Sequence, residues 1–226
     1  MTQKEDWNYS AQELLQKFDV TEQGLNNARV EETRRQTGEN ILQEGKKKST
    51  LEVFLGQFCD LLVVILIIAA IISMFSGNTE STIVILLVLI MNAVLGTVQH
   101  VKAQRSLESL KQLSAPNAKV IRNGVKQEVS SREIVPGDIV MLEAGDMIVA
   151  DGRILHNYSL QVNESSLTGE STNVEKTDTV IEGKAALADR INMVYSGSLV
   201  TYGRAQVLVT GTGMKTELGK IAGLMN

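Results

Sequence analysis

Residues 61–98 read LLVVILIIAAIISMFSGNTESTIVILLVLIMNAVLGTV, and this stretch decides the architecture. Leu61 to Phe75 is apolar apart from Ser73, and Ile83 to Val98 is interrupted only by Asn92, Gly96 and Thr97. Each run is a little short of the roughly 20 residues that cross a bilayer, so the flanks or a locally thin membrane must contribute. Leu51 to Phe58 could supply two further turns ahead of the first run. The alternative is a pair of buried helices in a soluble protein. Flanking charge favours the membrane: Lys46-Lys47-Lys48 precedes the first run, Lys102 and Arg105 follow the second, and the connection from Ser76 to Ser81 has no Lys or Arg. By the positive-inside rule both ends face the cytoplasm and the short loop faces out.

Composition agrees with a chain divided between membrane and water. The mean hydropathy of +0.02 is an average over one very apolar stretch and polar flanks. With 22 Lys+Arg against 26 Asp+Glu the net charge is −4, so the basic excess of a nucleic-acid binder is absent. An apolar content of 43% excludes a wholly disordered chain. The single cysteine, Cys59, cannot form an internal disulfide, and no Cys/His cluster has zinc spacing.

Toward the amino terminus, residues 1–50 form a polar segment. Ser10 followed by Glu13 reads as a capping box opening a short helix to about Phe18, with Trp7 as a packing residue of that helix. Asn27 to Gln36 reads as a surface helix ending at Gly38. Nothing here resembles a signal peptide, because no basic region followed by an apolar one opens the chain.

Toward the carboxyl terminus, the second apolar helix has no reason to stop at the membrane. Gln99 to Ser114 holds neither Gly nor Pro and keeps Val101, Leu107, Leu110 and Leu113 near helical spacing, which predicts a stalk over 102–116 ended by Pro116. The period then changes. Lys119 to Arg122, Asn123-Gly124 and Val125 to Val129 predict a hairpin, and further short strands are expected at 138–143, 152–155, 192–196, 199–202 and 205–210. Turn signals at Pro136-Gly137-Asp138, Gly145-Asp146, Asp151-Gly152 and Gly203 separate them, which argues a small β sandwich or roll over 117–214. A helix is expected over 215–225.

Between two of these strands, Val162 to Ser171 concentrates carboxylates and hydroxyls around one glycine. Gly169 permits a sharp loop at which Glu170 can project, and a carboxylate held there could orient and deprotonate water. On composition alone such a loop is a solvated turn. The larger pattern is more specific. Thr168-Gly169-Glu170-Ser171 resembles the actuator-domain signature of the P-type cation-transporting ATPases. Leu110 to Pro116, Val135 to Val140, Ala144-Gly145-Asp146, Ala150 to Arg153 and Gly211 to Ala222 resemble further segments of that family in the family's order, as do Gly24-Leu25, Arg34 and Thr37 to Asn40 near the start.

The resemblance covers essentially the whole chain and implies an α+β membrane protein. Its parts are an amino-terminal helical segment (1–50), a two-helix transmembrane hairpin (51–101), a helical stalk (102–116), a β-rich actuator domain of distorted jelly-roll type on the cytoplasmic side (117–214) and the start of a linker helix (215–226). It implies a catalytic set of Thr168, Gly169, Glu170 and Ser171, in which Glu170 positions and activates the water that hydrolyses an aspartyl phosphate on another domain. ATP and Mg2+ then belong to the parent pump, with neither expected to bind this portion. The implied partners are the pump's phosphorylation, nucleotide-binding and remaining membrane domains, the lipid bilayer and a transported cation.

Gln57 to Leu66 and Asn163 to Leu167 resemble the calcium-pump branch, so Ca2+ export across a bacterial plasma membrane is expected, with Na, K, Mg or H as the alternative cargo. Cys59 stands where animal calcium pumps carry a gating glutamate, which leaves Asp60 as the nearby ion-path candidate. The motif Asp-Lys-Thr-Gly occurs nowhere in the chain, so the chain is expected to be inactive alone and part of a longer pump. The rival reading is a membrane-anchored adaptor whose β domain binds a partner.

Overall fold

The computed structural model describes residues 4–42, 49–113, 116–169 and 172–224. The lysine triplet Lys46-Lys47-Lys48 and two residues of the polar loop, Glu170 and Ser171, lie outside the described residues. The chain divides into two compact units, one made of Met1–Gln43 with Ala115–Asn226 and the other of Glu44–Ser114.

Local sequence explains the first helices. In α1 (Ala11–Lys17) the Ser10 amide donates to Glu13 Oε2 at 2.8 Å and the Glu13 amide donates back to Ser10 Oγ at 3.3 Å, a reciprocal cap. In α2 (Asn27–Thr37) Asn26 Oδ1 accepts from the Arg29 amide, and Gly38, with φ of 80°, ends the helix. Trp7 sits ahead of α1 in a separate 3-10 turn, Asp6–Asn8, and not on the helix. Its ring lies under the Arg190 guanidinium, 3.8 Å from centroid to Cζ, and its Nε1 donates to the Gly183 carbonyl.

The second unit holds α3 (Thr50–Gly56), α4 (Leu61–Phe75) and α5 (Thr79–Leu113). The turns ahead of α4 do not continue it. Asp60 is extended and accepts from the Leu62 amide at 2.9 Å, so a new helix starts there, bent 67° from the segment before. Helix α5 carries the second apolar run and the stalk without a break, and it is long and apolar enough to cross a membrane. Within the unit Val63, Ala70, Leu89, Ala93 and Thr97 are buried, while Leu62, Ile72, Phe75, Val84, Leu87 and Ile90 are exposed.

The rest is one antiparallel sheet of seven strands. They are β1 (Asn117–Arg122), β2 (Val125–Ser130), β3 (Ile139–Glu143), β4 (Asp151–Asn163), β5 (Asn173–Glu175), β6 (Met193–Val194) and β7 (Leu199–Gly211), in the order β2-β1-β3-β7-β4-β5 with β6 beside β4. The short strands expected at 199–202 and 205–210 are a single strand. Gly203, with φ of 76°, marks a bulge instead of a turn: a Cβ there would stand 2.2 Å from the Ser159 carbonyl oxygen, and the β4–β7 register slips beside it. For the same reason β4 does not stop at Leu155.

Alternation along these strands builds two cores. Val120, Val140, Ile154, Val207 and Val209 point to one face, with Leu160 and Val162 farther along β4. Their neighbours Ile121, Ile139, Leu155 and Leu208 point to the other, where Leu14, Val20, Leu25 and Val30 from the amino-terminal segment cover them. Five hydrogen bonds lock this cover down. The Asn123 amide donates to the Leu25 carbonyl and the Gly124 amide to the Gln23 carbonyl. Asn40 donates through Nδ2 to the carbonyls of Ser131 and Val149, both at 2.9 Å, and accepts from the Gly213 amide at 2.7 Å.

Candidate catalytic loop

The polar segment 162–171 is the connection of a β4–β5 hairpin. Val162 pairs with Val174 and Asn163 with Asn173, so the chain between them forms a tip at one end of the sheet. The tip is more ordered than a solvated turn. Asn163 Oδ1 accepts from the Ser165 amide and hydroxyl at 3.1 and 2.6 Å, which starts a single helical turn, α6 (Ser165–Thr168). Gly169 closes it in the left-handed region, φ of 76°, with its amide donating to the Ser165 carbonyl. Among the described residues nothing stands within 4 Å of where a Gly169 Cβ would be, and Gly169 itself is exposed.

Of the four residues assigned to catalysis from the sequence, Thr168 and Gly169 therefore share this exposed turn. Glu170 and Ser171 follow them in the chain, outside the described residues. Asp60 belongs to the other unit, is exposed, and has one carboxylate oxygen engaged in capping α4. Among the described residues no three His, Cys, Asp or Glu side chains come together to hold a metal ion.

Beneath the tip lies a pair that the sequence reading left among the loop's polar residues. Glu164 and Lys176 are 1% and 3% exposed, and Lys176 Nζ is 2.5 Å from Glu164 Oε1. Burial raises the Glu164 carboxyl and lowers the Lys176 ammonium from their ordinary values, while each counteracts the shift of the other. The Lys176 ammonium also faces the ring of buried Tyr195 at 5.8 Å. A sequence signal existed: Leu160, Val162 and Glu164 alternate, so Glu164 falls on the buried face.

The remaining glycine-rich motifs serve structure. Asp138 accepts a two-pronged ion pair from Arg122 at 2.8 and 2.6 Å and the Val135 amide at 2.9 Å, all buried. Arg153 is fully buried and donates to the carbonyls of Asp178 and Thr179, and burial lowers it to about 10. Asp151 accepts from the Ser196 amide at 2.8 Å and from the Glu217 amide at 2.7 Å, tying α7 (Glu217–Leu224) to the sheet. Its burial raises the carboxyl to about 6.

These features define the class: a β-rich domain covered by its own amino-terminal helices, with an exposed Thr-Gly turn at one end of the sheet. Comparison with known proteins gives that class its family. Residues 112–226 match the model of the P-type ATPase actuator domain, and residues 6–73 match that of the cation transporter/ATPase amino terminus. The chain belongs to the P-type cation-transporting ATPases. A calcium-transporting ATPase of Listeria monocytogenes is 46% identical over 98% of this chain and 25% of that protein. One of Lactococcus lactis is 47% identical over 97% of this chain and 25% of that protein. A sodium/potassium exporting P-type ATPase of Saccharomyces cerevisiae is 39% identical over 82% of this chain and 17% of that protein. The chain thus spans about a quarter of the length of the bacterial relatives it matches.

Proposed function

We propose that the chain is the hairpin-and-actuator portion of an ATP-driven calcium pump, and that its Thr168-Gly169-Glu170-Ser171 loop promotes hydrolysis of an aspartyl phosphate carried by another part of the same protein. The observation that carries this reading is the open Thr168-Gly169 turn at the tip of the β4–β5 hairpin, in a chain 46% identical to a calcium-transporting ATPase. The glycine lets the tip approach a phosphorylated surface closely, and the carboxylate next in sequence accepts a proton from the attacking water. Thr168 and Gly169 shape and place the loop. ATP and Mg2+ are assigned to the parent pump.

The exposed apolar sides of α4 and α5 support a hairpin in contact with lipid and with further membrane helices of the pump, since apolar surface of this extent is not kept in water. In this reading both ends are cytoplasmic, the membrane is a bacterial plasma membrane, and α5 transmits movement of the β domain to the ion path. Asp60 stays a candidate on that path.

The test is Glu170→Gln in the complete pump. Phosphorylation by ATP persists, and phosphoenzyme decay slows by about 10²–10⁴-fold, the usual worth of a general base. Decay at the wild-type rate removes the catalytic role and leaves the hairpin tip as a docking element. The yeast relative's name favours a second reading of the cargo, a monovalent cation. Uptake of radioactive calcium into everted vesicles, unaffected by sodium, decides for Ca2+.

A further inference from the structure

We propose that Glu164 and Lys176 are positioning residues for this loop: their buried ion pair ties the ends of β4 and β5 together and thereby sets where Thr168 and Gly169 stand toward a phosphorylated domain. The inference rests on the function proposed above.

A chain of contacts carries it. The Lys176 backbone is fixed to the sheet, its amide donating to the Leu160 carbonyl at 2.9 Å. Its ammonium grips Glu164 Oε1 at 2.5 Å. The Glu164 carbonyl in turn accepts from the amides of Leu167 and Thr168, at 2.9 and 3.0 Å, and from Thr168 Oγ1 at 3.2 Å. On this side the sheet meets the turn through Glu164, whose side chain faces inward and whose carbonyl holds the tip, and through Asn163, whose Oδ1 accepts from Ser165. Stability does not explain the choice. Glu164 ends a stripe of buried Leu160 and Val162, where another apolar side chain would extend the core without desolvating two charges. A close charge–charge contact pins the two strand ends at one separation, which an apolar contact does not. The contact is a close ion pair and not an aligned hydrogen bond, since Lys176 Nζ and both Glu164 carboxylate oxygens lack a hydrogen-bond partner among the described residues, so removing Lys176 alone leaves a buried carboxylate uncompensated.

The experiment compares four forms of the complete pump: wild type, Glu170→Gln, Glu164→Asp and the neutral double variant Glu164→Gln/Lys176→Met. The double variant removes both charges together and so avoids a stranded one, and Glu164→Asp keeps the charge while shortening its reach by one methylene. Expected for both pair variants are wild-type phosphorylation by ATP and phosphoenzyme decay slowed about tenfold or more, as a small misplacement costs. Amide exchange at Leu167, Thr168 and Gly169 should rise about tenfold, with Val207 and Leu208 unchanged. Wild-type decay and exchange in both pair variants overturn the proposal. So does exchange that rises equally across β4 and β7, which marks a merely structural pair. Where Glu170→Gln slows decay and the pair variants do not, this inference fails alone. Where Glu170→Gln decays normally, the function fails, and exchange at the tip still decides whether the pair positions it.

Discussion

Gly24 shows how much a single missing side chain can carry. Its φ is 75°, and a Cβ would stand 1.8 Å from the Ile121 carbonyl oxygen, so only glycine lets the amino-terminal segment lie against the β1–β2 turn. Gly24→Ala should cost about 1–2 kcal/mol from the backbone conformation, with the clash adding to it. The check is faster amide exchange at Asn123 and Gly124, whose donors meet the Leu25 and Gln23 carbonyls; unchanged exchange would refute the account. Asp138→Asn should be more damaging, about 3–5 kcal/mol, because Arg122 is left charged and buried. A thermal melt monitored at β1 and β3 measures it. Sequence marked both positions, Gly24 within a family motif and Asp138 within a turn signal. It did not reveal the partners, since a contact between Gly24 and Ile121 depends on which strand the returning chain places there.

At the level of elements, local signals worked where the physics is local. The cap of α1, the glycine end of α2 and the Asn123-Gly124 turn all lie where residue types put them. Misreadings came from glycines and from burial. Gly203 bends β7 without ending it, and the segment after Val162 looks like loop because its polar residues outnumber its apolar ones, although Glu164 continues the buried alternation.

Asp151 belongs to this scale because it joins β4, the turn before β7 and α7. Its carboxyl is raised to about 6 by burial, against two amide donors that lower it. The folded chain therefore holds this proton where the unfolded chain, with an ordinary carboxylate value near 4, has lost it. The contribution of Asp151 to stability falls as pH rises from about 4 to about 6, by about 3 kcal/mol at most, and is constant outside that window. Comparing unfolding of the wild type with Asp151→Asn across that window should show the wild type losing its relative advantage. Parallel curves would mean that the carboxyl titrates normally.

On the scale of the whole molecule, the two apolar runs and the long helix after them were legible from hydropathy alone, because a continuous apolar stretch is a property of composition. The bend at Asp60 was not, since capping by one side chain interrupts a pattern that period analysis reads as unbroken. The proposed topology can be tested once Cys59, the single cysteine of the chain, is replaced. In a cysteine-free pump, Asn78→Cys in the connection should react with an impermeant maleimide from outside the cell, and Ser106→Cys on α5 only after the membrane is opened. The reverse pattern would invert the hairpin.

The β-rich unit is built from two pieces of chain separated by the whole helical hairpin, and this has a consequence during synthesis. Leu14 and Val30 leave the ribosome early, yet Leu208, against which their core closes, is made only after both apolar helices and most of the sheet. At usual elongation rates the wait is on the order of ten seconds or more. Through that interval the amino-terminal segment lacks the face that covers Leu14 and Val30, and helices as short as α1 and α2 do not hold in water without such a face, so they become firm only when β7 arrives.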